Sequence, residues 1–403
     1  MKYCKNKLLT FIVNIIMWYL KIIVNKSELF MDCENYGEIN SLLNKEYNEF
    51  VKIKNNISGY PENQKFFYKN IKKFLNLSLN NVGDSFSASN YPLNTLNYEA
   101  EVISYIADLY NKKSDYWGYI TSGGTESNLF AIHLARSKFS KAIVLFSEHS
   151  HYSVLKSAKV TRSKYSMVSV LSNGEINYED FSEKVQAHSK SPLIIVLNLG
   201  TTMTGAIDNI KLIKEILIKN NVSKYYIHCD AALHGFLLPF SNIPESICLD
   251  EIDSISISGH KFIGSPLPCG IFLTHSHTIN IIKKNIDYLK ANDCTLLGSR
   301  EGISALILWN AIKQNTKEEF QKLVDYCYEL CEYAVAKMLK VGISAWANRF
   351  SPIVVFPRPT DETIKKWSIA PYKNIAHIIT MPHMTRKKID QIISDLVNDM
   401  KKN

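Results

Sequence analysis

Residues 254–270 read SISISGHKFIGSPLPCG and place a lysine just after an apolar run. The segment SISIS alternates Ser with Ile, as expected of a strand, and the two Pro and two Gly that follow Lys261 interrupt regular structure. A lysine at the end of a buried strand needs a partner, because a charged amine is costly to bury alone. The partner of the lysine could be an acid, a phosphate or a cofactor aldehyde. Each of these would require different residues near the lysine.

Further short apolar runs alternate with helical stretches between residues 116 and 275. They are AIVLFS (142–147), LIIVLNL (193–199), YYIHC (225–229) and GIFLT (270–274), with the helical sequence NIKLIKEILIKN (209–220) between two of them. This alternation predicts an α/β fold with a mainly parallel central sheet covered by helices. Ligands of such folds bind at the carboxyl ends of the strands.

The chain is predicted to have four segments. These are an apolar extension (1–30), a helical arm (31–90), a large α/β domain that binds the ligand (91–312) and a smaller C-terminal α/β domain (313–403). The helical arm contains EINSLLNKEYNEFVKIK, whose apolar residues have helical spacing and need another surface to cover them. The C-terminal domain has a long helix, two apolar strands and a closing amphipathic helix (317–340, 352–356, 374–380 and 385–400).

The segment LLTFIVNIIMWYLKIIV (8–24) is the compositional exception. Asn14 and Lys21 interrupt it and no A-x-A pattern follows, so it is marginal both as a membrane span and as a signal peptide. A membrane anchor through residues 8–24 stays open on this basis. The polar sequence after Met31 favours a third interpretation, in which translation starts at that residue.

Composition limits the classes of partner. The 403 residues are 46% hydrophobic and 21% charged, which is typical of a globular protein with a large core. The net charge of +9 comes from lysines spread along the chain, without an Arg-rich block, and argues against a nucleic-acid partner. Eight cysteines without a CxxC pair favour a reducing, cytoplasmic location.

Three other motifs could carry chemistry. In TSGGTESN (121–128), a glycine pair precedes a predicted helix, whose backbone N–H groups could hold a phosphate, although a simple turn has the same sequence. Asp230 follows the run YYIHC and could pair with a buried cation or cap a helix. In HSHYS (149–153), two histidines lack a third ligand, so we predict a stacking or acid–base imidazole and no metal site.

One cofactor accounts for all four features. Pyridoxal 5'-phosphate would form a Schiff base with Lys261, place its phosphate in the glycine turn and pair its pyridine nitrogen with Asp230. The alternative for the lysine taken alone is a solvated surface charge.

The order and spacing of these motifs resemble the group II pyridoxal-phosphate decarboxylases, in particular the bacterial histidine and plant serine decarboxylase branch. The resemblance covers about residues 59–395. It rests on GYPENQKFFY, SASNYPLNTLNYEAEV, WGYITSGGTESNL, SHYSVLKSAK, NGEINYEDF, GTTMTGAIDNI, HCDAALHGFLLPF, SGHKFIGSPLPCGI and GSREG. It implies the fold of the aspartate aminotransferase-like transferases, called fold type I.

The resemblance also implies roles for single residues. Lys261 would bind the cofactor, Asp230 would keep its ring nitrogen protonated, and His151 and Ala232 would lie on opposite faces of the ring. Further cofactor contacts would come from Gly124, Thr125, Ser258 and His260 at the phosphate and Thr202 beside the ring. The family is homodimeric with shared active sites, so Ser299 would approach the neighbour's pocket, and Asn90 and Tyr91 would line the substrate end.

The sequence departs from the family at three positions. Ser127 and Glu301 stand where the family has Gly and Asn, and His234 stands where it has Ser. None of these removes the lysine, the aspartate or the stacking histidine. Glu301 could add a negative charge near the pocket mouth and favour a cationic side chain such as imidazolium, or it could simply point to solvent.

The expected reaction is decarboxylation of an L-amino acid to the amine and CO2, with histidine as first candidate and serine or another small amino acid as the alternative. The acid that protonates Cα could be Tyr91, His151 or His260. A pyridoxal-phosphate aldolase, desulfurase or aminotransferase fits the motifs less well. A catalytically silent interaction protein is the alternative from another class.

Overall fold

The structure is a computed structural model that describes residues 36–87, 89–112, 115–241 and 249–402. The apolar segment 8–24 lies outside these residues. No helix in the described part is both long and apolar enough to cross a membrane. The chain divides into two units, residues 1–56 and 57–403. The first has one described helix, α1 (Tyr36–Lys54), and its described residues offer no second element to cover the apolar stripe of that helix.

A seven-stranded sheet forms the centre of the second unit. Its strands are β1 (Trp117–Thr121), β2 (Ile143–Ser147), β3 (Lys164–Val168), β4 (Leu193–Asn198), β5 (Tyr225–Asp230), β6 (Ser254–Ser258) and β7 (Gly270–Thr274). Their order is β1-β7-β6-β5-β4-β2-β3, and β7 runs antiparallel to both β1 and β6. The other pairs are parallel, which confirms the predicted mainly parallel sheet.

Helices follow or separate the strands of this sheet. They are α2 (Leu96–Leu109), α3 (Gly124–Lys138), α4 (Tyr152–Val160), α5 (Tyr178–Ala187), α6 (Ile210–Lys219), α7 (His234–Leu237) and α8 (Ser276–Ile279). Two asparagines start helices by accepting hydrogen bonds at the N-cap. Asn177 accepts from Glu179 N and Asp180 N, and Asn209 accepts from Leu212 N.

The C-terminal part adds a small hairpin, a three-stranded antiparallel sheet of order β10-β12-β11, and four helices. The elements are β8 (Lys284–Ile286), β9 (Ala291–Asp293), α9 (Ile303–Gln314), α10 (Lys317–Lys340), β10 (Ile353–Pro357), α11 (Asp361–Trp367), β11 (Ala370–Tyr372), β12 (Ile375–Ile379) and α12 (Arg386–Lys402). A capping box of Thr316 and Glu319 starts α10. The main core continues from the large sheet to Phe320, Val324 and Val355. The boundaries at residues 90 and 312 stay a prediction.

The sheet gathers five chain segments at one edge. Strands β2, β4, β5 and β6 are parallel, and β1 runs in the same direction because it is antiparallel to β7. The residues that follow these five strands therefore meet at the carboxyl edge of the sheet.

A buried ion pair fixes α2 against this sheet. The Glu99 carboxylate is fully buried and bonds to the Arg300 guanidinium. It also accepts hydrogen bonds from Ile120 N at 2.7 Å and Asn81 Nδ2 at 2.9 Å. Arg300 in turn donates to Gly83 O at 3.0 Å. The pair thus joins α2, β1 and the segment before α9.

We predict that Glu99→Ala destabilises the protein by about 3–5 kcal/mol, because it leaves the Arg300 charge buried without a partner. The control is Glu101→Ala on the same helix, whose pair with Lys313 is half exposed (49% and 54%). Glu101→Ala should lower the free energy of unfolding by about 1 kcal/mol or less. Urea unfolding followed by fluorescence measures both, and equal losses for the two variants would contradict the prediction.

Candidate active site

A cavity of about 550 Å³ opens at the carboxyl edge of the sheet. Nine residues singled out from the sequence line it: Gly124, Thr125, His151, Thr202, Asp230, Ala232, Ser258, His260 and Lys261. They come from the segments that follow β1, β2, β4, β5 and β6. Side chains more than 130 positions apart in sequence are thus brought together, and their roles stay predictions.

Three predicted substrate residues do not line this cavity. Asn90 and Ser299 are exposed, and Tyr91 is half-buried. The Asn90 backbone N–H donates to Leu289 O at 2.9 Å, and Asn80 Nδ2 donates to Ser299 Oγ at 3.2 Å. Within one protomer these residues are therefore separate from Lys261, and a role at the partner's cavity stays a prediction.

Lys261 lies on a single π-helical turn, His260–Gly264, directly after β6. Gly259 allows this turn to form, because a Cβ there would lie 2.8 Å from Leu308 and 3.0 Å from Cys269. Burial lowers the pKa of Lys261, and the negative charges of Asp230 and Glu62 oppose that shift. The amine is therefore deprotonated more easily than a surface lysine, which favours its reaction with a carbonyl carbon.

One buried amide organises the floor of the cavity. Asn128, on α3, donates through Nδ2 to Asp230 Oδ2 at 2.7 Å and to Ser153 Oγ at 2.9 Å. Its Oδ1 accepts from Ser256 Oγ and His228 Nε2, both at 3.0 Å. The second carboxylate oxygen of Asp230 accepts from Ala232 N at 3.2 Å. Because Asn128 has a bonded partner on both sides of its amide, the Asp230 carboxylate has one fixed orientation.

The same network sets the tautomer of His151. Ser153 Oγ, which accepts from Asn128, lies 2.7 Å from His151 Nδ1, and Ser153 N donates to that nitrogen at 3.3 Å. The hydrogen-bond pattern therefore assigns the His151 proton to Nε2. Burial lowers the pKa of His151. The charge of Asp230 raises it, and the charge of Lys261 lowers it to a smaller extent. The ring is neutral at physiological pH.

The glycine turn leads directly into α3, and its own N–H groups at Ser122 and Gly123 donate to Glu126 Oε2 and Thr121 Oγ1. Gly123 has φ +148°, and a Cβ there would meet nothing within 4 Å. Within the described part of the chain no side chain caps the N-terminus of α3, so its first N–H groups remain available to an anion. Ser127, which replaces the family glycine, is buried with Oγ 2.8 Å from Thr121 Oγ1. It therefore does not occupy the cavity.

His234, the second departure from the family, is fully buried, and neither of its ring nitrogens has a hydrogen-bond partner among the described residues. Gly200, with φ +101°, makes room for it, because a Cβ there would lie 1.9 Å from His234 Nδ1. Burial and, to a smaller extent, the charge of Lys261 lower the pKa of His234 to about 3.

Glu301, the third departure from the family, is exposed. Its carboxylate accepts a hydrogen bond from Ser304 N at 3.0 Å and so caps α9.

His377, on β12, also lines the cavity and was not predicted from the sequence. Its Nδ1 lies 3.1 Å from Met203 O and its Nε2 lies 3.0 Å from Gly59 O. Burial lowers the pKa of this histidine to about 4. The ring joins the 59–64 segment to the loop that carries Thr202.

These groups fit pyridoxal 5'-phosphate. The cavity contains an amine for the aldehyde, a fixed carboxylate for the ring nitrogen and an open helix N-terminus for the phosphate. Among the described residues, the one group of three possible metal ligands is Asp115, His275 and His277. None of these three lines the cavity.

Comparison with known proteins identifies a family. Residues 71–356 match the model of the pyridoxal-dependent decarboxylase conserved domain. The chain is 42% identical over 347 residues to the histidine decarboxylase of Vibrio anguillarum, covering 85% of this chain and 90% of that protein. It is 41% identical over 346 residues to that of Morganella morganii, covering 85% and 92%.

Solved structures show the same fold at lower identity. L-methionine decarboxylase from Streptomyces sp. 590 superposes with a TM-score of 0.84 and 22% identity, over 90% of this chain and 95% of that one. Glutamate decarboxylase from Lactobacillus brevis gives 0.77 and 16%, over 92% and 93%. The fold predicted from the motifs is confirmed.

Three buried histidines should make the protein acid-sensitive. Burial lowers the pKa of His228 and His377 from 6.5 to about 4 and that of His234 to about 3. Between pH 6.5 and 4 the unfolded chain binds protons that the folded chain excludes, so the free energy of unfolding falls as the pH falls. Each histidine contributes about 1.4 kcal/mol per pH unit.

We predict that His234→Ser makes the free energy of unfolding depend less steeply on pH. The variant lacks one of the three histidines that take up a proton only on unfolding. Urea unfolding at a series of pH values measures the slope. The control is His277→Ser, at a side chain that is 68% exposed, which should leave the slope unchanged. A slope identical in His234→Ser and the parent would contradict the prediction.

Proposed function

This chain belongs to the pyridoxal-dependent decarboxylases, and we propose from that premise that it converts L-histidine to histamine and CO2. The observation that carries the proposal is the meeting of Lys261, Asp230 and His151 in one cavity. The choice of histidine is supported by relatives named histidine decarboxylase that are 41–42% identical and match over 90–92% of their length.

Pyridoxal 5'-phosphate, when bound, supplies an electron-accepting ring for the electrons that the departing carboxylate leaves behind. Lys261 would hold its aldehyde carbon, and the lowered pKa of the amine assists this attachment. Gly124, Thr125, Ser258 and His260 would hold the phosphate, and Thr202 would lie beside the ring. The backbone N–H groups at the start of α3 would add to the phosphate site.

Asp230 would keep a proton on the ring nitrogen. Asn128 Nδ2 and Ala232 N hold its two carboxylate oxygens, which orients the charge and prevents its rotation. A fixed negative charge at this point stabilises positive charge on the ring without reorganisation during the reaction.

His151 and Ala232 would contact opposite faces of the ring. His151 is held by Ser153 with its proton on Nε2, which makes it a candidate donor to Cα. His260 is the second candidate in the cavity, although its Nδ1 is already 2.7 Å from Cys269 O. Tyr91, the third candidate, would have to come from the partner subunit.

We also propose a homodimer with shared active sites. The apolar stripe of α1 has no covering element among the described residues of its own unit. In the second unit, two segments near Ser299 carry exposed apolar side chains. The first segment contains Leu77 and Leu93, and the second contains Tyr288 and Leu297. Hydrogen bonds from Asn90 N to Leu289 O and from Asp84 N to Asn292 O join these segments. Such a surface is typical of a subunit interface.

The proposed compartment is the cytoplasm. Five cysteines among the described residues are free and buried: Cys229, Cys269, Cys294, Cys327 and Cys331. Burial raises the pKa of Cys269 to about 12, so its thiol is unreactive, as expected of a core residue in a reducing compartment.

We predict CO2 release from L-histidine by the purified holoenzyme and a loss of about 1000-fold or more in Lys261→Ala. Lys313→Ala, at an exposed lysine, is the control and should keep full activity. A panel of twenty L-amino acids, assayed for CO2, identifies the substrate. Release from serine alone would replace histidine as substrate, and no release from a folded dimer would overturn the decarboxylase proposal.

We predict that Tyr288→Asp with Leu297→Asp dissociates the dimer and abolishes activity, because two charges would be buried in the interface. Sedimentation velocity measures the oligomeric state. Ile218→Asp, at an apolar side chain of α6 that is 73% exposed, is the control and should remain dimeric. A parent protein that sediments as an active monomer would contradict the shared-site proposal.

A further inference from the structure

We propose that Glu62 recognises a positively charged side chain on the substrate and so determines which amino acids the cavity accepts. The inference rests on the proposed decarboxylase function of the same cavity. It concerns the class of substrate, an amino acid with a cationic side chain, of which histidine is one member.

Three carboxylates line the cavity, and two have protein partners. Asp230 bonds to Asn128 and Ala232. Glu126 accepts from Tyr119 OH at 2.9 Å and from Ser122 N at 2.7 Å. The Glu62 carboxylate has neither a hydrogen bond nor an ion pair with any described residue. A half-buried carboxylate without a protein partner is available to a ligand.

The backbone around Glu62 is held firmly. Asn63 donates through its backbone N to Lys261 O and through Nδ2 to Phe262 O, both at 3.0 Å. Gly59 lies directly against β11, since a Cβ there would be 2.3 Å from Ala370 N. These contacts fix the backbone of Glu62 next to the lysine turn, and its side chain lines the cavity.

The surroundings of Glu62 suit a side chain with apolar carbons and a charged end. Its negative charge reaches Lys261 and His260, whose pKa values it raises. The wall also contains Met203 and Ile379. A cation that pairs with Glu62 gains a charge-assisted hydrogen bond, whereas a serine hydroxyl leaves the carboxylate without a counter-charge.

The same residue could instead act only on Lys261, by stabilising its charge. That role would change kcat for every substrate alike and would not depend on the charge of the side chain. A role in recognition changes KM and depends on the ionisation of the substrate imidazole, whose ordinary pKa is about 6.5. The two roles therefore give different kinetics.

The test is Glu62→Gln in the full-length holoenzyme with L-histidine. We expect KM to rise about 10- to 100-fold, with kcat changed by less than about threefold. In the parent, KM should rise as the pH is raised through the imidazole pKa, and Glu62→Gln should lose this dependence. Glu62→Asp, which keeps the charge, should restore part of the affinity.

A binding measurement removes any dependence on turnover. Calorimetry of L-histidine with Lys261→Ala should show tighter binding at pH 5.5 than at pH 8, and the Lys261→Ala/Glu62→Gln double variant should bind weakly and equally at both. Glu301→Gln is the control, because that carboxylate caps α9, and it should leave KM unchanged. A KM effect in Glu301→Gln and none in Glu62→Gln would overturn the inference.

Two further outcomes separate the inference from the proposed function. A parent enzyme that decarboxylates lysine or ornithine in place of histidine would refute the histidine substrate, and a raised KM in Glu62→Gln for that cation would still support Glu62. An equal loss of kcat and kcat/KM in Glu62→Gln, independent of pH, would overturn the inference while histidine decarboxylation stands.

Discussion

A single buried amide connects the polar groups of this cavity. Asn128 offers two donors and one acceptor oxygen, and the structure uses both ends: Asp230 and Ser153 accept from it, while Ser256 and His228 donate to it. An amide with opposite partners on its two ends cannot flip without breaking all four bonds. The carboxylate orientation and, through Ser153, the proton position on His151 therefore depend on where α3 places this residue.

The position of α3 follows from the sheet. Gly123 ends the turn after β1, the helix begins at once, and one turn later Asn128 faces the carboxyl ends of β5 and β6. The same helix can therefore present its N-terminal N–H groups to an anion and the buried amide of Asn128 to Asp230. One rigid element would in this way hold the proposed phosphate site and the Asp230 carboxylate at a constant separation, as a ligand that contacts both requires.

Much of this arrangement could be predicted from the sequence, because aliphatic runs identify central strands and strand ends identify ligand-binding edges. Strand β1, WGYIT, and strand β3, KYSMV, were missed, since neither has an aliphatic run and β3 is largely exposed. The roles of Asn128, Glu62 and His377 were also missed. The hydrogen-bond partners of Asn128 and His377 include Asp230 and Gly59, which lie 102 and 318 positions away, and no local pattern encodes such contacts. The sequence left two roles open for Glu301, a charge for a cationic substrate or a side chain in solvent, and in the structure this residue is exposed and caps α9.

The distribution of charge in the cavity supports the proposed role of Glu62 in substrate recognition. Burial lowers the pKa of all four cavity imidazoles, His151, His234, His260 and His377, so none of them offers a positive charge at neutral pH. In the proposed site, Asp230 would pair with the ring nitrogen of the cofactor and Lys261 with its aldehyde. Among the described residues, the Glu62 carboxylate has no ion-pair partner, and a Lys261 amine bound to the aldehyde would not supply one. An imidazolium or another cationic side chain would supply the counter-charge for Glu62, and a neutral side chain would not.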